Sequence, residues 1–392
     1  MPSAKIETLR AVLNSEYWLV LALAGVFFVF FALNGGGTVV FIHLSVAFVI
    51  VNIMTGEYRL RSLPAPLLIA TAICLYLLLL SFIVAPRQSH IRWIQNLVRM
   101  LGLVFAIHCL SRKRINHEVR AGTASVLALA VGWQFAARHL FNLSSGTFSN
   151  VHYLAAFAVL VLPVIVFFFG VTAGWYRFLF VPVAIMDVDL LLQTGSRPAF
   201  VAIVGSTLFI ILFFIKGRRK WGGVGLLLLL LGTLYITKYA GMALRLEELV
   251  ENLAQEERVQ FWSYAWNKLM DNTLGAWLFG HGIGWFYTPY IQNSVRIAAF
   301  VAPHNHVLEL IYLNGLIGFV LVYGGMFFLF TATVNVARQN RDRQIRWLAR
   351  CLLVVFLTWL IHCGLTFPFY SKYSQIPLAF ILGAMLVLLE RK

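Results

Sequence analysis

The sequence predicts an all-α polytopic membrane protein with about twelve transmembrane helices and one large, mostly helical loop outside the cytoplasm. Of its 392 residues, 60% are hydrophobic and only 12% are charged, whereas soluble domains hold about 25% charged residues. The apolar residues are concentrated in long uncharged blocks such as 66–85 and 151–169. Because a helix needs about 20 apolar residues to cross a bilayer, these blocks are predicted to be spans.

The apolar blocks also set the order of the predicted spans and the division of the chain. One connection, at 241–305, is much longer than the others. We therefore expect spans one to nine in 1–240, an outer loop at 241–305, and spans ten to twelve in 306–392. The predicted spans are 17–33, 39–54, 66–85, 93–110, 121–137, 151–169, 174–192, 198–215, 223–240, 306–334, 347–366 and 373–389.

The distribution of Lys and Arg predicts the orientation. With the N-terminus inside, cytoplasmic segments hold about twice as many basic residues as outer segments, and the basic runs 111–114, 216–220 and 338–346 all fall inside. This bias follows the positive-inside rule and predicts that both termini are cytoplasmic. The net charge of +16 is thereby explained as a topology signal, and no nucleic-acid partner is expected. The N-terminus shows no cleavage site of the kind that ends a signal peptide.

The outer loop divides into two parts by composition. Its first part, up to about residue 272, has apolar residues at helical spacing among acids, which predicts an amphipathic helix or helix pair. The next part, 275–290, is rich in glycine and aromatic residues and is predicted to be irregular. The apolar positions of the predicted helical part are Leu246, Leu249, Leu253, Val259, Trp262 and Trp266.

Arg197 is the sharpest binding candidate, because cationic residues on the outer side run against the insertion bias. Pro198 suits the first turn of the following helix, and Ser196 is placed to cap it. A guanidinium beside a helix N-terminus suits an anion such as phosphate. The alternative is an Arg that reaches the interface or pairs with Asp187 or Asp189.

Other outer cations are weaker candidates for the same cavity. Arg258 lies on the predicted outer helix, where the alternative is a solvated side chain or one paired within the helix. Three further outer-side residues are candidates for contact with an anionic substrate: Arg87, Arg138 and Lys372.

His304 is a candidate general base, since an imidazole takes a proton near neutral pH; the alternative is an interfacial polar residue. Its neighbours Asn305 and His306 are candidate substrate contacts. Asp187 and Asp189 form an Asp-x-Asp pattern, but residues two apart on a helix do not face each other. We therefore predict no metal site there and favour pairing with an outer cation, with Asp189 as a possible substrate contact.

These motifs resemble those of the lipopolysaccharide O-antigen ligases. The stretch HNHVLELIYLNGLIG is similar to their signature of His-Asn, nine residues, Gly, two residues and Gly. QTGSRPAF resembles the Ser-Arg step before a span, and EERVQFW resembles the outer-loop Arg followed by Trp. The order of Arg197, Arg258 and His304 is also similar, and the resemblance covers about 150–370.

The resemblance implies glycosyl transfer on the periplasmic face of the bacterial inner membrane. The donor would be a glycan on undecaprenyl pyrophosphate, and the acceptor a hydroxyl of the lipid A–core oligosaccharide. His304 would act as general base, while Arg197 and Arg258 would hold the pyrophosphate without a metal or another cofactor. A single displacement would invert the anomeric carbon.

Three alternatives stay open. An O-antigen polymerase would use the same donor with a second lipid-linked glycan as acceptor. A protein O-glycosylating relative would use a protein acceptor. A flippase for the lipid-linked glycan would also have about twelve spans, although such transporters often show two similar halves, which are not evident here.

Overall fold

The computed structural model describes residues 46–56, 58, 63–84, 91–111, 117–148, 150–236, 257–283 and 304–390. All regular structure in these ranges is helical, which confirms the all-α fold. We number the helices as follows: α1 Ala65–Val84, α2 Ile91–Ser111, α3 His117–His139, α4 Val151–Val171, α5 Phe180–Thr194, α6 Arg197–Phe214, α7 Arg218–Ile236, α8 Glu257–Met270, α9 Leu274–Phe279, α10 His306–Gln339, α11 Arg343–His362 and α12 Lys372–Glu390.

Within the described part of the chain, six segments are long and apolar enough to cross a membrane. They are Ala65–Val84, Val151–Val171, Arg197–Phe214, His306–Gln339, Arg343–Leu365 and Tyr373–Glu390. The total of twelve spans stays a prediction, since 17–33 and the first part of 39–54 lie outside the described residues. The three-part division of the chain also stays a prediction, because 241–256 and 284–303 lie outside them too.

Helices α6 and α11 pack antiparallel along their length. Thr358 donates a hydrogen bond to the Ser206 hydroxyl at 2.9 Å in the middle of the pair. At one end, the Arg350 guanidinium lies 5.4 Å from the centre of the Phe214 ring, and Arg338 approaches the same ring. We call this the basic end of the bundle. The N-terminus of α6 and the C-terminus of α11 share the opposite end.

Helix α4 runs alongside α6 against α11. The Cys351 thiol lies 3.4 Å from the Pro163 carbonyl, and Gly170 faces the Trp347 ring near the basic end. Helices α1 and α2 cover the other side of the core, where Leu77 faces Gly318 of α10. The first residues of α4, α6, α10 and α12 therefore lie at the end opposite the basic one, which we call the site end.

A short helix, α9, docks against a break in α10. Gly315 interrupts α10 with φ 67° and ψ 179°, and a Cβ there would lie 2.2 Å from the Leu278 carbonyl oxygen. In return, a Cβ on Gly280 would lie 2.4 Å from the Leu313 carbonyl. The amides of His281 and Gly282 donate to carbonyls of α10 at 3.0 and 2.8 Å.

The expectation that 275–290 is irregular is wrong for its first residues. Helix α9 forms over Leu274–Phe279 because Thr273 caps it, accepting a hydrogen bond from the Ala276 amide at 3.3 Å. Trp277 packs on the main core. A capping hydroxyl supplies one of the acceptors that a helix start needs, and the tertiary contact with α10 stabilises a helix too short to form alone.

Candidate functional site

His304 lies at the site end, held between the start of α10 and the segment after α11. Its backbone adopts φ 51°, a left-handed conformation that costs a non-glycine residue about 1–2 kcal/mol. Its Nδ1 lies 2.7 Å from the Thr366 carbonyl oxygen. Asn305 caps α10, accepting hydrogen bonds from the Val307 and Leu308 amides. The cap and the carbonyl together fix the position of the His304 ring.

The contact with Thr366 determines the chemistry of the imidazole. A carbonyl oxygen only accepts hydrogen bonds, so Nδ1 carries the proton and donates it. In the neutral ring, the basic lone pair then lies on Nε2. An imidazole in this state is a suitable proton acceptor near neutral pH.

A cavity of about 720 Å³ opens beside the two residues that follow this histidine, Asn305 and His306. One wall comes from α8, one from the start of α10, and one from the end of α11 with the short turn after it. Ligand pockets typically measure about 300–1,000 Å³, so the cavity has the size of a substrate site. Its lining residues are Val259, Trp262, Ser263, Trp266, Asn267, Asn305, His306, Val307, Leu308, Tyr323, Leu360, Gly364 and Leu365.

Helix α8 presents the predicted apolar face to this cavity. Val259, Trp262 and Trp266 follow helical spacing and all line it, while Ala265 and Leu269 are buried on the adjacent face. The earlier positions of the predicted helix, 246–253, lie outside the described residues. The backbone of Arg258 lies one turn before Trp262, and its side chain lies outside the description.

Arg197 begins α6 at the same end of the bundle. Nine residues separate it from Ser206, which is opposite Thr358. At about 1.5 Å per residue, Arg197 lies about 13 Å beyond that contact. The same distance from Thr358, along the end of α11 and the turn that follows it, reaches the level of Thr366. Arg197 and Thr366, whose carbonyl contacts His304, therefore lie at a similar height along the bundle axis.

The start of α6 differs in one detail from the sequence prediction. Ser196 occupies the cap position, but its side chain makes no capping hydrogen bond. The hydroxyl is buried and has no hydrogen-bond partner among the described residues. A left-handed Gly195 ends α5 directly before it, so the α5–α6 turn is tight and places this hydroxyl next to Arg197.

Arg138 and Asp189 make protein contacts at this end. The Arg138 guanidinium donates to the carbonyls of Ser144 and Gln193, the second at 2.9 Å. The Asp189 carboxylate lies 2.7 Å from His139 Nε2. Burial lowers the pKa of Arg138, and the nearby Asp189 carboxylate acts in the opposite direction.

The two aspartates of the Asp-x-Asp pattern lie in different environments. Asp187 is fully buried, and neither of its oxygens has a hydrogen-bond partner in the part of the chain that the structure describes. Asp189 instead faces His139. The two carboxylates therefore do not form a joint site, in agreement with the helical spacing, and Asp189 contacts His139 and interacts electrostatically with Arg138.

The remaining candidates divide between the wall of the cavity and segments outside the description. His306 is 1% exposed, and its Nε2 lies 2.9 Å from the Ser374 hydroxyl. Arg87 and the side chain of Lys372 lie outside the described residues. The side-chain oxygen of Asn305 accepts hydrogen bonds in the α10 cap. Its side-chain nitrogen is therefore the group that could donate hydrogen bonds to a substrate.

Sequence reasoning missed a set of buried polar groups beneath His304. Glu309 accepts a hydrogen bond from the Phe369 amide at 2.7 Å, and Tyr370 donates to Asn314 at 2.5 Å. Both residues of α10 are fully buried. An ionisable residue within an apolar predicted span is a signal for function, and Glu309 carried that signal.

Comparison with known proteins agrees with the motifs. A family model described as O-antigen ligase matches residues 178–323, the stretch that contains Arg197, Arg258 and His304. No curated protein matches significantly. The family match and the apolar helices support a multi-pass membrane protein that carries out lipid-linked glycan transfer of the ligase or polymerase type. The family match over residues 178–323 thus supports the resemblance to the O-antigen ligases that the sequence motifs predicted.

Proposed function

We propose that the protein is an O-antigen ligase that transfers a glycan from undecaprenyl pyrophosphate to a hydroxyl of the lipid A–core oligosaccharide. The observation that carries the proposal is the 2.7 Å contact between His304 Nδ1 and the Thr366 carbonyl. It leaves Nε2 as the basic atom of a residue whose neighbours Asn305 and His306 line a substrate-sized cavity, at the end of the bundle away from the basic cluster.

The chemistry is a single displacement. His304 Nε2 takes the proton of the acceptor hydroxyl while that oxygen attacks the anomeric carbon of the donor. The bond from the anomeric carbon to the pyrophosphate oxygen breaks, and undecaprenyl pyrophosphate leaves with the bonding electrons. The new glycosidic bond has the inverted configuration, and the proton stays on His304 until solvent removes it.

Arg197 and Arg258 stabilise the charge on the leaving pyrophosphate. Arg197 begins α6, where backbone N–H groups and the helix dipole favour an anion. The buried Ser196 hydroxyl beside it has no hydrogen-bond partner among the described residues. This supports the assignment, since a buried donor without a partner is costly and a phosphate oxygen would satisfy it. Fixed guanidinium charges supply the electrostatic stabilisation, and we propose that the reaction needs no metal ion.

The cavity beside Asn305 takes the donor head group. Trp262 and Trp266 line it together with Ser263 and Asn267, a combination of aromatic faces and hydrogen-bonding groups that suits sugar rings. Five further residues complete the proposed substrate contacts: His306, Arg87, Arg138, Lys372 and Asp189. The site faces the periplasm in this proposal, with both termini in the cytoplasm and the spans in the inner membrane.

Replacement of His304 tests the mechanism. His304→Asn tolerates the left-handed backbone and keeps a donor for the Thr366 carbonyl, but it has no basic nitrogen. We expect kcat for transfer from purified lipid-linked donor to fall about 10²–10⁴-fold, the usual contribution of a general base. Thr331→Val, in the part of α10 that follows the break at Gly315, is the control for purification and folding.

Two outcomes of this assay contradict the proposal. Full activity of His304→Asn would reject the base, and activity that is lost in EDTA and restored by a divalent cation would reject the metal-free mechanism.

A deletion strain separates the ligase from its alternatives. Without a ligase, polymerised glycan accumulates on the carrier lipid and the core stays bare. Core capped with a single repeat unit would identify a polymerase instead, and loss of all exported glycan would identify a flippase.

A further inference from the structure

The segment that follows α11 carries the carbonyl that orients His304. After the turn Cys363–Leu365, the chain crosses the site end through residues 366–371 before α12 begins. Thr366 contributes its carbonyl to His304 Nδ1 at 2.7 Å. The geometry of the proposed base therefore depends on what holds this segment in place.

Glu309 attaches this segment to the start of α10. Its side chain is 0% exposed, and its Oε2 accepts the Phe369 amide hydrogen bond at 2.7 Å. Its own amide donates to the Asn305 carbonyl at 2.9 Å. One residue thus connects the cap beside His304 to the segment that carries Thr366.

Closer to the histidine, the Phe367 amide, which shares its peptide group with the Thr366 carbonyl, donates to the Cys363 carbonyl at 3.0 Å. Two attachments to other helices lie farther from the histidine. Tyr370 donates its hydroxyl hydrogen to Asn314 at 2.5 Å, and the Asn96 amide donates to the Tyr370 carbonyl at 2.9 Å. Both hold the far side of the segment, toward α2 and the break in α10. Of these three contacts with α2 and α10, the one made by Glu309 lies closest in sequence to both members of the His304–Thr366 pair.

A buried carboxyl at this position is not explained by packing. Burying a polar group costs free energy unless its hydrogen bonds are made, and Glu309 Oε1 has no hydrogen-bond partner among the described residues. A leucine would fill similar space without that cost. It would, however, leave the Phe369 amide as a buried donor without an acceptor.

We infer that Glu309 is a positioning residue, which holds the Thr366 carbonyl against His304 by accepting the Phe369 amide hydrogen bond. This inference rests on the proposed role of His304 as general base. Without Glu309, the segment shifts, Nδ1 loses its acceptor, and the imidazole samples the other tautomer, in which Nε2 carries the proton. That tautomer cannot take a proton from the acceptor hydroxyl at Nε2.

Two variants separate this role from a general packing role. Glu309→Leu removes the acceptor, and we expect kcat to fall about 10–100-fold, as for small displacements of catalytic groups, with KM within about 3-fold. Glu309→Gln keeps a carbonyl oxygen for the Phe369 amide, and we expect it to retain most of the wild-type kcat. Thr333→Val, which removes another buried hydrogen bond of α10 at the basic end, is the stability control.

The tautomer itself is measured by nitrogen NMR on protein labelled with 15N-histidine, with His304→Asn identifying the signal. We expect one signal set with the proton on Nδ1 in wild type and in Glu309→Gln, and a mixture in Glu309→Leu. If the Leu variant does not fold, Glu309→Met, which has similar length and no oxygen, takes its place.

The results for the Glu309 variants can be told apart from a failure of the proposed general-base role of His304. An active His304→Asn variant would remove the base, whatever Glu309 does. With the base established, unchanged kcat and tautomer in Glu309→Leu would overturn the positioning role. Equal losses in the Leu and Gln variants would overturn it too, because they would assign the effect to charge rather than to the hydrogen bond.

Discussion

His281 is a half-buried histidine whose protonation state is set by its surroundings. Its Nε2 lies 2.9 Å from the Asn272 side-chain oxygen, and its ring lies 4.6 Å from the Tyr312 ring. Burial lowers the pKa of His281 below the ordinary value of 6.5. The neutral ring is therefore the form that joins α9 to α10.

We expect this histidine to make stability depend on pH. Above pH 6.5 the ring is neutral in both folded and unfolded protein, so its contribution to stability is complete. As the pH falls below 6.5, the unfolded chain binds the proton first, and the free energy of unfolding decreases. The melting temperature of wild type should therefore fall more between pH 7.5 and 5.5 than that of His281→Gln. Equal decreases in the two proteins would contradict the assignment.

At the scale of elements, the contact between α9 and α10 depends on two glycines that face each other. Gly315 and Gly280 both have positive φ, and a Cβ on either would meet backbone atoms of the other element within 2.5 Å. Backbone cannot move aside as a flexible side chain can. The pair therefore fixes the segment that carries α8 and α9 against the helix that begins beside His304.

Gly315→Ala should disrupt this contact. The left-handed conformation costs alanine about 1–2 kcal/mol, and the clash with Leu278 adds to that, so we expect a lower melting temperature together with reduced glycan transfer. Gly324→Ala is the matched control on the same helix, because a Cβ there meets no atom within 4 Å. Alanine is the better helix former by about 0.5–1 kcal/mol. A Gly315→Ala protein as stable and active as the control would show that the contact is dispensable.

The sequence predicted elements where the signal is local. The long apolar block 151–169 corresponds to α4, and the helical spacing of Val259, Trp262 and Trp266 corresponds to the face of α8 that lines the cavity. The docking of α9 on Gly315 was not predictable, since it depends on two segments more than 30 residues apart. Glycine composition alone predicts a turn and does not identify the partner.

The site was predictable to a similar degree. His304 and Arg197 stand out because polar residues beside apolar spans are unusual, and the structure places both at one end of the bundle. The partners that determine their chemistry, Thr366 and Glu309, were not evident. A backbone carbonyl leaves no trace in sequence, and the Glu309–Phe369 contact joins residues far apart along the chain.

At the scale of the whole molecule, the bundle has a basic end and a site end. Arg338 and Arg350 approach Phe214 at the first, and His304 lies at the second. The positive-inside rule predicts that the basic end is cytoplasmic. All four cysteines, Cys74, Cys109, Cys351 and Cys363, are buried, which makes the native chain a suitable background for labelling.

We expect a membrane-impermeant maleimide to label the two ends differently. Ser144→Cys, in an exposed turn of the site end, should react in intact spheroplasts. Lys216→Cys, exposed at the basic end, should react only after the membrane is opened. Wild type serves as the unlabelled control. The reverse pattern would place the histidine in the cytoplasm and reject the proposed orientation.

The break in α10 has a consequence for depth in the bilayer. From residue 316 to 339 the helix has 24 residues, about 36 Å at 1.5 Å per residue, which exceeds the roughly 30 Å of hydrocarbon. The nine residues before the break are therefore not needed to cross it. In the proposed orientation they extend the helix by up to about 13 Å, which places the imidazole toward the layer where lipid phosphates meet water. The proposed reaction between two lipid-tethered substrates needs its proton acceptor at that depth.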